Sequence, residues 1–182
     1  MFARVTVHAS DLAASRKFYE IVVGALERDP WEVFKVTDRD PPTRHLHIAF
    51  AAMAPEDVEV FWRAGVDAGY RGDGEPGPRP QYTPDYFGGF LLDPDGNSVE
   101  AVYRPGRTET GSPIDHLWLG VANLEASRRE WEALAAQFGL QVEDARIPGL
   151  VVVAGDKRHI MLVPHRAPTE NAGIELAAPE AQ

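Results

Sequence analysis

A carboxylate stands alone in an otherwise core-like strand: in YFGGFLLDPDGNSVEAVYR, residues 86–104, Glu100 lies between Val99 and Ala101. Two imidazoles, His8 and His47, occupy strands of the same kind, VTVHA and LHIAFAA. Residues two apart on a strand share a face. Arg4, Thr6 and His8 therefore share the polar face of one strand, His45 and His47 that of another, and Ser98, Glu100 and Val102 one face of a third. Where such faces meet, two imidazoles and one carboxylate form the donor set associated with iron(II) or manganese(II), with zinc(II) and nickel(II) as competitors. The same residues also have plainer uses, as solvated histidines and an acid paired with Arg104 or His45. His116 is a third candidate imidazole, with no evident acid beside it.

The elements that must position these groups repeat along the chain. Residues 4–20, RVTVHASDLAASRKFYE, align without gaps on 116–132, HLWLGVANLEASRREWE, at an offset of 112. PTRHLHIAFAA (42–52) aligns with PTENAGIELAA (168–178) at an offset of 126, so the second copy is 14 residues longer. Each copy opens with an alternating strand and then a helix whose N-cap is Asp11 or Asn123, residues that accept from the first free helical N–H groups. Ser15, Tyr19, Val22 and Leu26 form the apolar stripe of the first helix; Leu124, Trp131, Leu134 and Phe138 form that of its counterpart.

Between the copies lies a unit with the same plan. Its strand is LHIAFAA, its helix starts at Pro55 and buries Val58, Phe61, Trp62 and Gly65, and a hairpin turns at Asp93-Pro94-Asp95-Gly96. The stretch RGDGEPGPRPQYTP (71–84) reads as an irregular loop bordering the groove, and RPGRTETGSP as a linker. Short strands follow near 141–147, 150–154 and 160–164. The order is three βα-started units and part of a fourth, the pattern of an α+β repeat protein.

Composition narrows the partners. Eighteen Lys and Arg against 28 Asp and Glu give a formal charge of −10, which opposes nucleic acid and anionic membrane. There is no Cys, which excludes disulfides and Cys-based zinc sites. The start MFARVTVHASD has no signal-peptide pattern and no run reaches a membrane span, so the cytoplasm is the expected location. The Ala/Pro/Glu tail at 177–182 is expected to fray.

VTVHASDLAASRKFYE, HLHIAFAA, GGFLLDPDGNSVEAV and IDHLWLGVANLEASRREWE together resemble the vicinal oxygen chelate superfamily of glyoxalase I, extradiol dioxygenases and bleomycin-resistance proteins. The resemblance implies repeated βαβββ modules forming curved mixed sheets, with helices on the outer face and a metal in a U-shaped groove. It implies a two-module domain at 1–104 with a shortened first module, a linker at 105–113, and a truncated second domain at 114–182. The family's metal-binding His and Glu fall on His47 and Glu100, and its other His position falls on Arg4 in the first copy and on His116 in the second. A guanidinium cannot ligate a metal. Either Arg4 neutralises Glu100, or it turns away and His8 substitutes; in the partner strand of the second copy, Gly173 stands in place of His47.

The metal candidates are therefore His47, Glu100 and His8, and the substrate-contact candidates Arg4, Arg79, Tyr82 and Tyr86. Two functions follow from the resemblance. One is a metal-dependent enzyme, dioxygenase-like or glyoxalase/lyase-like, acting on a small oxygenated molecule with Fe2+, Mn2+, Zn2+ or Ni2+. The other is a metal-free protein that sequesters a compound, where the net charge and Tyr82, Tyr86, Phe87 and Trp118 suit a flat cation. A lone third module would leave its face with His116 and Trp118 bare, so a homodimer through 114–182 is expected.

Overall fold

The structure, a computed structural model, describes residues 2–106, 113–155 and 158–177. Most of the expected linker (107–112) and the tail from 178 lie outside the described residues. A shortened first unit consists of β1 (Phe2–Ala9), α1 (Leu12–Gly24) and β2 (Phe34–Asp38). The second is β3 (Leu46–Ala51), α2 (Pro55–Asp67), β4 (Gly72–Pro78), β5 (Phe87–Leu92) and β6 (Ser98–Tyr103). The third is β7 (Ile114–Gly120), α3 (Leu124–Phe138), β8 (Gln141–Asp144), β9 (Val151–Gly155) and β10 (Arg158–Val163), and β11 (Ala172–Leu176) opens a fourth. Asp11 and Asn123 cap α1 and α3 by accepting from the N–H groups of Ala14 and Ala126.

The strands form two sheets, and the sheets cross the expected boundary near residue 105. Units two and three build an eight-stranded sheet in the order β4-β5-β6-β3-β7-β10-β9-β8, symmetric about its centre. There β3 and β7 run antiparallel, His47 opposite Trp118 and Ala49 opposite His116. Units one and four supply a separate three-stranded sheet, β11-β1-β2. β7, expected to lie in a module without a partner in its own chain, pairs edge to edge with β3, and its face with His116 and Trp118 lines a groove. Among the described residues no helix is long and apolar enough to cross a membrane.

One core joins the two sheets. Phe18 and Tyr19 of α1, Phe34 of β2, Phe50 of β3 and Phe61 of α2 are fully buried within it, with Tyr19, Phe34 and Phe50 in ring contact. The α1 stripe is buried as its spacing predicts. The α3 stripe is not: this helix rests on β8, β9 and β10, Ala135 is its one buried residue, and Leu134 is exposed. The expected loop at 71–84 contains β4 instead. β4 is an edge strand with register shifts at Gly72/Gly74 and Gly74/Gly77, and an edge tolerates Pro76 and Pro78 because half its backbone groups need no sheet partner.

The hairpin turn after β5 is a buried polar clamp. Asp93 Oδ1 accepts from the N–H groups of Asp95 and Asn97, and its Oδ2 from the Tyr19 hydroxyl at 3.0 Å. Asn97, fully buried, accepts from the Leu46 N–H at 3.1 Å and donates to the Thr43 carbonyl at 3.1 Å, so it ties the start of β3 to the start of β6. Asn97→Ala would leave a buried N–H and a buried carbonyl without partners, and is expected to cost about 1–3 kcal/mol. Urea unfolding checks this; an unchanged midpoint would show that the clamp does not hold the strands.

Candidate metal centre

Alternation along β3, β6 and β7 sorts their side chains. Ile48, Phe50, Val99, Ala101 and Leu117 enter the core. His47, Glu100, His116 and Trp118 point to the other face, into the groove. Because β3 lies between β6 and β7, three groups converge. His47 Nε2 lies 2.9 Å from Glu100 Oε2 and His116 Nε2 lies 3.5 Å from the same oxygen. All three residues are buried, and one nitrogen or oxygen of each lies within 4.8 Å of the others, a group that could hold a metal ion.

Each donor is itself held. The Tyr86 hydroxyl donates to Glu100 Oε1 at 2.6 Å, which leaves Oε2 for the imidazoles. His47 Nδ1 meets Ser98 Oγ at 3.1 Å, and that hydroxyl donates to Asp73. His116 Nδ1 meets Asp115 Oδ1 at 2.7 Å, and Arg104 pairs with the same carboxylate. Metal-binding imidazoles are oriented in this way, their second nitrogen donating to an oxygen so that the first presents its lone pair. His116 Nε2 fits the role: it is buried and, among the described residues, makes no hydrogen bond. Gly88 gives Glu100 room, since a Cβ there would lie 2.5 Å from Oε1.

The charges of this cluster are linked. Burial would raise the Glu100 carboxyl, but the adjacent His116 and His47 rings outweigh it and hold the carboxyl at about 2. Asp115 is likewise pushed up by burial and brought down to about 2 by His116, Arg104 and His159. Burial lowers His47, and Glu100 only partly offsets this. His116 is raised despite burial, because Asp115 and Glu100 flank it. The flanking acids thus favour the charged form of His116, whereas burial favours the neutral form of His47.

The two halves of the sheet are related but unequal. The strand registers that carry His47 onto His116 also carry Ser98 onto His159 and Glu100 onto Met161. Met161 provides no oxygen or nitrogen donor, so the fourth quarter of the centre is apolar. It faces a cavity of about 480 Å³ lined by Tyr82, Tyr86, Trp118, Ile147, Met161 and His159. The His159 ring stacks on His116 at 5.1 Å.

Of the residues picked from sequence, His47, Glu100 and Tyr86 meet here, and Tyr82 and Arg79 line the adjoining cavities. His8 and Arg4 do not reach the centre. Their strand, β1, pairs with β2 and β11 rather than with the β3 sheet; the His8 N–H donates to Thr43, and Arg4 lies 3.5 Å from Glu175. The third imidazole is His116, and its acids are Glu100 across the groove and Asp115 beside it. Asp115 directly precedes His116 in the sequence. Strand alternation would send it to the opposite face, but the β3–β7 register shifts at this point, and the bulge brings it beside the ring.

The family model described as Glyoxalase/Bleomycin resistance protein/Dioxygenase superfamily matches residues 2–101. A glyoxalase/bleomycin resistance protein from Albidiferax ferrireducens is 31% identical over 58% of this chain and 99% of its own, with a TM-score of 0.49. Glyoxalase I from Zea mays is 16% identical over 95% of this chain and 73% of its own, with a TM-score of 0.65, and shares the fold. No curated protein matches the sequence.

The depressed carboxyls set an acid limit. Their stabilising contribution is complete above the ordinary carboxyl values of 4.5 and 3.8 and is lost as the pH falls toward about 2. The unfolding free energy is expected to fall across that window, and less steeply in Glu100→Gln. Equal slopes for the two proteins in urea titrations would contradict the assignment.

Proposed function

The chain belongs to the Glyoxalase/Bleomycin resistance protein/Dioxygenase superfamily, and from that premise we propose that it is a metal-dependent enzyme acting on a small molecule with two neighbouring oxygens. The observation that carries this reading is the buried group of His47, Glu100 and His116 beside an open cavity. Two imidazoles and a carboxylate suit iron(II) or manganese(II), with zinc(II) and nickel(II) as competitors. Such an ion, when bound, supplies Lewis-acid polarisation of the substrate oxygens.

The rest is the work of this chain. Asp115 holds the His116 proton on Nδ1, and Ser98 with Asp73 orients His47, so each Nε2 faces inward. Tyr86 keeps Glu100 Oε1 engaged. Trp118 and Tyr82, in edge contact at 5.5 Å, wall the cavity and exclude water from the substrate's apolar part. The charge of −10 argues against nucleic acid or anionic membrane as a partner.

One observation favours a second reading, a metal-free binding protein. His116 is flanked by Asp115 and Glu100, which favour its charged form, and in that form it would compensate the buried carboxylates without a metal.

Elemental analysis of protein purified without a His tag separates the two. The enzyme reading expects one transition metal per chain, lost in His47→Ala and His116→Ala, and bound about 10–100-fold more weakly in Asp115→Asn, the usual effect of removing an outer partner. A protein that takes up no metal even after reconstitution refutes it in favour of sequestration.

A further inference from the structure

A second, smaller cavity of about 180 Å³ adjoins the His47 side of the centre, and its lining includes Arg79, Arg166, Phe90, Trp118, His47 and Glu100. Its two guanidiniums are the notable feature. Arg79 donates to the carbonyls of Glu75 (2.6 Å) and Pro78 (3.1 Å) and lies over the Phe90 ring at 5.4 Å. Arg166 lies over the Trp118 ring at 5.0 Å. Among the described residues neither forms an ion pair.

Both act on the same place. Each opposes the upward shift that burial imposes on the Tyr82 hydroxyl, and Arg166 helps to lower His47. The acids nearby are Asp73, which accepts from Ser98, and Glu100, which lies against two imidazoles. Each guanidinium lies over an aromatic ring, and backbone carbonyls hold one end of Arg79. Such a preorganised fork matches a carboxylate or a phosphate-type oxyanion. Tyr82, Tyr86 and Trp118 line this cavity and the larger one alike, so one molecule can occupy both.

We infer that the substrate is an organic monoanion: Arg79 and Arg166 take its carboxylate or other oxyanion, while its neighbouring oxygens reach His47, Glu100 and His116. This assignment rests on the metal reading above for the second contact and stands on the two arginines for the first. It selects against the flat cation that net charge suggests, because Arg79 and Arg166 lie within the distance at which charge is felt through salt water, and the average charge of the chain does not.

The test is calorimetric, on the zinc-loaded full chain, with protocatechuate as the anionic diol and its amide as the neutral match. The carboxylate is expected to bind about tenfold tighter or more, the effect of one or two charge-assisted hydrogen bonds. The Arg79→Gln/Arg166→Gln pair should bring it down to the amide, and the Lys pair should keep part of the preference. Equal affinities in the wild-type protein overturn the anion site and leave the metal centre standing. If zinc measured in the same samples is absent, the metal reading fails, and the comparison repeated on that metal-free protein still decides the anion site: a preference removed by the Gln pair supports it, and no preference overturns it.

Discussion

The antiparallel pairing of β3 with β7 is the constraint on which the site depends. It sets Ala49 opposite His116 and His47 opposite Trp118, and with β6 beside β3 it brings one carboxylate between two imidazoles. A slip of one residue would send His116 into the apolar core and Leu117 into the groove. Burial gives the register its force. Charges taken out of water are costly unless matched, and the pairing brings Glu100 to His47 and His116, and Asp115 to His116 and Arg104. A metal bound at His116 would displace any proton on its Nε2, so binding would be coupled to proton release.

Local patterns in the sequence were sufficient for the parts. Alternation placed His47 and Glu100 on groove-side faces, Asp11 and Asn123 located the helix starts, and the offset of 112 exposed the repeat. Pairing between units is long-range and leaves no local mark. Neighbours along the chain suggest units one and two as partners, which would put Arg4 or His8 beside Glu100. The structure instead pairs unit two with three and unit one with four, and the imidazole equivalent to the missing one arrives 69 positions after His47, as His116. Asp115 was hidden by a bulge, and β4 by glycines and prolines that an edge strand tolerates.

Electrostatics gives a similar lesson. A charge of −10 speaks for the average surface, whereas a ligand in the groove meets Arg79 and Arg166 at close range. The other sheet illustrates the opposite outcome. There Arg4 and Gly173 occupy the positions equivalent to His116 and His47, and Arg4 pairs with Glu175 on the facing strand. The same strand geometry yields a donor set in one sheet and an exposed ion pair in the other.

Anomalous diffraction from crystals soaked in manganese, collected on both sides of the metal's absorption edge, tests the central claim most directly. The account predicts one strong peak in the groove, within about 2.0–2.3 Å of His47 Nε2, His116 Nε2 and Glu100, as nitrogen and oxygen ligands require. A groove without a peak, with Glu100 still against the two imidazoles, would contradict it.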